Sequence, residues 1–582
     1  MTRARIPDIG FHGSRNPALE KVSKPVRWLP AAGAVVLLGA TALDTQGASA
    51  AVNTADAVRF LEQGSFGPTD AAIAEVQKLG FSGWLDMQRN LPASRFPDLP
   101  EFPSNPAEGC PKDDPSTSQN CYRDHYTQFP LQMQFFLHAL GGTDQLRQRV
   151  AFALSQTLVV SGVQIQQPSA LAPYLNILAD NAFGNYRDLL EKITLNPAMG
   201  DYLDMVNNDK PSSDGKFKPN ENYAREILQL FSIGLYQLNT DGTLKLDSKG
   251  QSIPTYTQDT IGNFARVFTG WTYAPKDGAT PKKHNPRNYL VPMVLYRVNG
   301  ADTNHDKGAK PLLSYSGAVY STLPANQDGE TDLKQALDNI FRHPNVGPFI
   351  AKRLIQNLVT SNPSAAYVGR VARVFNNNGS GVRGDLFATV RAVLLDKEAR
   401  GASRREAGYG RLREPVQFVT NLLRAYNAQS DGVLAELPKA MGQNLFYSPS
   451  VFNYYPREYT VPGTALQGPE FGIESSAAAL NRANVAYLLI LSKLQLPGAT
   501  TPTTIDLSGL DALGANPDAT QLIESINRLL MHSSMSKDMK TTVGAALPCT
   551  RKAGQGSCTE AHLRAQIALY LVATSSQYLI QR

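Results

Sequence analysis

The chain has 582 residues, of which 42% are hydrophobic and 18% charged, a balance that excludes a wholly disordered protein and allows a large core or several domains. Its formal charge is +6, yet six of the 56 basic and three of the 50 acidic residues fall within the first fifty, leaving 50 against 47. So small an excess gives no electrostatic case for a nucleic-acid partner.

Residues 1–50 read as a secretory signal peptide of the Sec type. Basic residues as far as Arg27 precede the apolar run AAGAVVLLGATAL, and Ala48-Ser49-Ala50 fits a small-residue cleavage site. The run is short for a bilayer span, so a membrane anchor is the weaker alternative. No Cys follows it to carry a lipid, and no Arg-Arg pair precedes it to mark twin-arginine export. The mature chain is expected to start near Ala51, without a later transmembrane segment, in the periplasm or outside the cell. Cys110 and Cys121 flank one polar loop and Cys549 and Cys558 another. Of the three pairings open to four cysteines, two local loops is the simplest, and it suits an oxidising compartment. A zinc site is the rival, but no CxxC spacing is present.

In chain order, Thr54 to Asn90 carries three amphipathic helical patterns, and residues 91–122 an irregular Pro/Asp/Ser-rich excursion. Helices follow over His125–Leu140 and Gln145–Val160, and two or three more lie between Asn176 and Met205. Next comes the stretch Asn220 to Trp271, whose two ends are amphipathic helices with ionic faces. In the first, Tyr223, Ile227, Leu230, Phe231 and Leu235 make the apolar stripe, with Asn222, Glu226 and Gln229 in a row along its edge. Glu221 and Arg225 stand four apart in the favourable order. In the second, Thr257 is the expected N-cap and Asp259 an acid in the first turn, while Ile261, Phe264, Ala265 and Phe268 face the core and Asn263 and Arg266 do not. Gly270 is expected to end that helix. A small hairpin is expected over Gly242–Ile253 between them.

Beyond Trp271 the segments VPMVLYRV and PLLSYSGAVY resemble short strands separated by the loop NHDKGAK. Helices resume over 347–359, 365–375, 385–395, 415–426 and 477–494, and a Pro/Thr/Gly-rich linker (498–517) leads to terminal helices near 519–533 and 560–580. The fold class expected is therefore mainly α, a large multi-helix globular domain with a small β-hairpin excursion. Residues 51–497 would form the main domain, with the excursion near 242–321, and 498–582 a linker and C-terminal helices packed on it.

Familiar catalytic motifs are missing. Gly379-Ser380-Gly381-Val382-Arg383-Gly384 spells GxGxxG but follows a helical pattern, so it reads as a helix–helix loop with Asp385 capping the second helix. There is no HExxH, GxSxG or Walker A sequence, and the two SxxK matches lack companion motifs. His305-Asp306, with Lys310 nearby, is a compact polar group of the kind found at catalytic or metal sites, or else a solvated loop. His343 reads as a capping or packing residue. The aromatic segment from Phe446 to Tyr459 is either a stacking surface or a loop packed by its rings.

RQRVAFALSQ, YLDMVNN, PNENYAREILQLFSIGLY, YTQDTIGNFARVFTGW, HDKGAK and REPVQFV occur here in the order seen in a bacterial exported family, domain of unknown function 1800, which the mature chain resembles over nearly its whole length. The resemblance implies an exported, largely helical domain and an exported protein partner, but no activity. Its motif positions fall on Asn220, Glu221, Asn222, Arg225, Glu226, Asp259, Arg266, Trp271, His305, Asp306, Lys310, Arg413 and Glu414.

Two functions compete. One is an acid/base hydrolase acting on a polar, glycan-type substrate. Glu226 and Asp259 would be its carboxylates and His305 a helper, while Asn222, Arg225, Arg266, Trp271, Asp306 and Lys310 would bind substrate. The other is a non-catalytic exported protein that binds or assembles with a partner; it predicts a buried, fully paired polar network and a separate exposed apolar patch. No cofactor is evident, and a divalent cation held by Asp, Asn and Glu oxygens is a third reading.

Overall fold

Helices begin where the sequence offers a cap. Asn53, Thr69, Asp328 and Asp385 each accept a hydrogen bond from a backbone N–H in the first turn of the helix they precede. Thr257 does the same in a capping box with Thr260, and Gly80 breaks Asp70–Arg89 where its φ of +69° cannot continue a helix. The computed structural model describes residues 51–114, 116–549 and 556–582, and the leader read over residues 1–50 lies outside them.

Among the described residues the fold is mainly α, with three two-stranded antiparallel sheets of two residues per strand. Residues 51–582 cluster as one unit around a continuous core that runs from Ala57 to Tyr578. The C-terminal helices belong to that core: Leu522, Ile526, Leu530, Ala568, Leu569 and Val572 are all fully buried. Strand Ile580–Gln581 pairs with Arg411–Leu412, which fastens the tail to the middle of the chain. Both expected disulfides are formed, Cys110–Cys121 and Cys549–Cys558, with Cα atoms 5.8 and 5.5 Å apart. No helix among the described residues is long and apolar enough to cross a membrane.

Three local expectations need correction. The Asn222 helix stops at Gln229, so the apolar stripe read as far as Leu235 ends early and Leu235 is 48% exposed. The hairpin is larger than expected and closes on itself. Lys245 N–H donates to the Gln237 carbonyl (2.8 Å), Ile253 N–H to Lys245 (3.2 Å) and Gln237 N–H to Ile253 (2.8 Å). Each of the three segments is thus bonded to the other two. The two strands beyond Trp271 do not pair with each other: Val294–Leu295 joins Trp271–Thr272, and Lys310–Pro311 joins Thr322–Leu323.

Buried ion pairs tie distant parts of this unit together. Glu62, on the first helix, accepts from Arg413 Nη2 at 2.7 Å and Asn421 Nδ2 at 3.2 Å, and pairs with His532. Burial pushes the Glu62 carboxyl up, but the Arg413 and His532 charges and hydrogen bonds outweigh it and hold the group at about 2. Glu414 is held by Arg411 and by the side-chain amides of Gln156 (2.6 Å) and Gln443 (2.7 Å). Removing one member of such a pair strands the others. Glu62→Gln is therefore expected to cost about 3–5 kcal/mol at neutral pH in denaturant unfolding. Because the folded carboxyl titrates below its unfolded value, this contribution is complete above about 4.5 and fades as pH falls toward 2, so the gap between wild type and variant should narrow over that range.

Candidate functional site

The HDKGAK loop is built as a lock. His305, Lys310 and Asp332 are all fully buried. Lys310 Nζ donates to Asp332 Oδ2 (2.7 Å) and to the carbonyls of Asp306 (2.6 Å) and Gly308 (3.0 Å), which occupies all three of its protons. His305 Nε2 lies 2.9 Å from Asp332 Oδ2, and Nδ1 lies 3.0 Å from the Thr269 carbonyl. Gln327 completes the shell by donating to Asp332 Oδ1 at 2.7 Å. Burial raises the Asp332 carboxyl, but hydrogen bonds from His305 and Lys310 and the Lys310 charge more than offset it, so the group stays below the ordinary range.

Two glycines make room for His305, one for its ring and one for its backbone. A Cβ on Gly329 would lie 3.0 Å from His305 Cγ, and one on Gly270, whose φ is +84°, would lie 2.9 Å from the His305 backbone nitrogen. Asp306 Oδ1 accepts from Arg266 Nη2 and from Gly308 N–H, both at 2.8 Å, while Arg266 Nη1 reaches Asn263 and the Ala309 carbonyl at 3.0 Å. The loop is thereby clamped to helices Gln258–Val267 and Gly329–Arg342. His305 and Lys310, read as site residues, sit inside this clamp and out of reach of solvent.

Of the remaining motif residues, those on the two anchor helices are exposed or half-buried. Arg225 pairs with Glu221 at 3.0 Å, and Gln258 donates to the same carboxylate at 2.7 Å, which bridges the helices. Asn222 is exposed and donates to Asp204 at 2.6 Å. Asp259 is exposed, and Trp271 is buried beside its strand partner Leu295. No hydrogen bond or ion pair among the described residues joins Glu226 to Asp259 or His305; His305 is fully buried, Glu226 half-buried and Asp259 exposed. Nor do three His, Cys, Asp or Glu side chains among the described residues form a group suited to a metal ion.

Glu226 differs from the rest. It is half-buried, its Oε2 is sealed without a hydrogen-bond partner, and burial raises its carboxyl to about 6 against a partial offset from Arg225. Tyr202 and Tyr256 stand near enough to feel its charge, and both phenols are pushed up to about 12, by burial first and then by Glu226. The Tyr256 hydroxyl is likewise buried without a partner.

An unfilled apolar feature begins where the first anchor helix ends. Gly234, at φ +73°, turns the chain so tightly against Phe349 that a Cβ there would meet the ring at 3.2 Å. That turn lays Leu235 and Tyr236 outward along a groove. One hollow of about 460 Å³ lies between Leu230, Leu235, Phe349, Val451 and Phe452. A second, of about 270 Å³, continues past Phe349 to Leu238 and Leu244. Phe452 is 52% exposed at one lip, and Leu235, Tyr236 and Leu244 are exposed along the other. The groove was not foreseen, because Phe349 and Phe452 come from segments more than a hundred residues apart. Of the aromatic segment, Phe452 alone is exposed, while Phe446 and Tyr455 are buried.

Asp332 was missed as well. Its only signal is an acid aligned at helical spacing with Ala336 and Ile340, both fully buried.

The two acids should respond oppositely to neutralisation. Asp332→Asn leaves buried Lys310 with only the Asp306 carboxylate, 3.8 Å away and already paired with Arg266, and is expected to cost about 3–5 kcal/mol. Glu226→Gln removes a carboxylate that the fold disfavours. Its folded value lies above the unfolded one, so the penalty is absent below about 4.5 and grows as pH rises through 6. The variant should melt higher than wild type at pH 8 and alongside it at pH 4, as differential scanning fluorimetry would read.

Comparison with curated proteins and with solved structures found no match. A family model described as a protein of unknown function (DUF1800) matches residues 59–580, nearly the whole described unit, and the chain belongs to that family.

Proposed function

We propose that this is an exported, non-catalytic binding protein that docks a segment of a partner polypeptide in the groove around Phe349. The observation that carries the reading is the groove itself: two continuous hollows with apolar walls and exposed apolar lips, while the charged residues around Asp332 are paired with one another. Contiguous exposed apolar surface is uncommon on soluble chains and marks interaction sites. Export is supported by the two disulfides and by the pattern of residues 1–50. The partner runs alongside the closed three-segment meander and meets its side chains, since each segment already has both neighbours.

Panning the intact protein against a random peptide display library tests the reading. Selected peptides should bind Leu235→Ser/Phe452→Ser at least roughly tenfold more weakly than wild type, the loss expected when central apolar anchors are truncated. Peptides that bind both proteins equally, or no binders at all, would overturn it.

A second reading rests on Glu226, whose unpartnered oxygen and value near 6 suit a general acid. It expects release of sugar from a glycan panel by wild type and not by Glu226→Gln. An inactive wild type, or equal release by the two, removes it.

A further inference from the structure

The groove is not electrically neutral. Lys352 and Arg353 lie on its Phe349 wall and Arg457 on its floor, against one carboxylate, Glu458. Glu458 is taken by Arg353 at 2.8 Å. Arg457 is buried but meets only neutral acceptors, Asn357 Oδ1 at 2.7 Å and the Gln156 carbonyl at 2.6 Å. Lys352 is half-buried and has no hydrogen bond or ion pair among the described residues.

Immediately behind the floor the imbalance continues. Arg149 and Arg411 both donate to the Asn357 carbonyl, and Glu414 and Glu470 pair with Arg411. Five cations thus share three carboxylates, and Lys352 is the one that opens on the groove without a partner. Burial and the neighbouring Arg353 charge push the Lys352 ammonium below its ordinary value; Glu458, already bonded to Arg353, offsets this only in part, and an incoming anion would reverse it.

We propose that the partner segment docked in this groove is apolar but carries a carboxylate, and that Lys352 is the residue that reads it. The inference rests on the groove being a peptide site and adds the charge of its occupant. An acid is favoured over a neutral ligand because the cation is already partly desolvated and unpaired, so pairing it recovers energy that a hydroxyl or amide recovers less well. A polypeptide is favoured over a single acyl chain because the apolar surface continues beyond the hollows onto Leu246, which is 56% exposed.

The same display library, panned on wild type, Lys352→Met and Lys352→Glu, separates the possibilities. Thermal melting of each variant, expected to match wild type because Lys352 makes no contact that the fold needs, serves as the folding control, and Lys352→Gln replaces any that melts early. Apolar peptides with an Asp or Glu should dominate on wild type, lose that enrichment on Lys352→Met and shift toward Lys or Arg on Lys352→Glu. For one selected peptide, exchange of its Glu for Gln should weaken binding to wild type by roughly tenfold and leave binding to Lys352→Met unchanged. Peptides without acid enrichment that still depend on Leu235 and Phe452 would overturn the charge assignment and leave the groove standing. Peptides indifferent to both sets of substitutions, or no binders, would overturn the groove reading and this inference with it.

Discussion

The buried carboxylate of Glu62 is the constraint on which the rest of this fold depends. It joins the first helix to Arg413 and Asn421 in the middle of the chain and to His532 near its end. A carboxylate there is tolerable only because each neighbour is in place at once, so the three regions are specified together or not at all. Glu414, Asp332 and their partners repeat the pattern. In each case an acid holds a cation whose remaining protons go to backbone carbonyls, or an amide that fills the last lone pair. The polar groups inside this helical unit select one arrangement of its many similar helices, which apolar packing alone does less sharply.

That division of labour accounts for most of the sequence motifs. RQRVAFALSQ supplies Arg147, Arg149 and Gln156, which reach carbonyls of Ala179 and Asn357 and the carboxylate of Glu414. HDKGAK supplies the clamp around Asp332, and REPVQFV the pairs to Glu62 and Arg411. The NENYARE stretch is different, because it runs through Gly234 into the groove wall. Leu230 and Leu235 of this stretch line the groove, while Ile227, Leu228, Phe231 and Ile233 stay in the core.

Helical class, caps and disulfides were legible because each rests on neighbours in sequence: Thr257 directly before its helix, Cys110 with Cys121 and Cys549 with Cys558 across short loops. The ends of the Asn222 helix were not, because periodicity continues through Leu235 although Gly234 has already turned the chain. The candidate site was half legible. Residue types at Glu226, Asp259 and His305 suit acid/base work, and Glu226 and Asp259 lie on two helices that could bring them together by packing as neighbours. Whether an ionic residue lies in a cleft or in a clamp is decided by its partner, and Asp332 lies 27 residues from His305. Lys352 gave no signal, since its significance is a missing partner, which a sequence does not display.

The span of these ties has a consequence for how the protein is made. Glu62 finds Arg413 351 residues later and His532 470 residues later, and Arg59 donates to the carbonyl of Arg582, 523 residues away. The clasp cannot shut while the ribosome still holds the last helices. The three regions that meet at Glu62 therefore close last, once the tail is free to pack against the first helix.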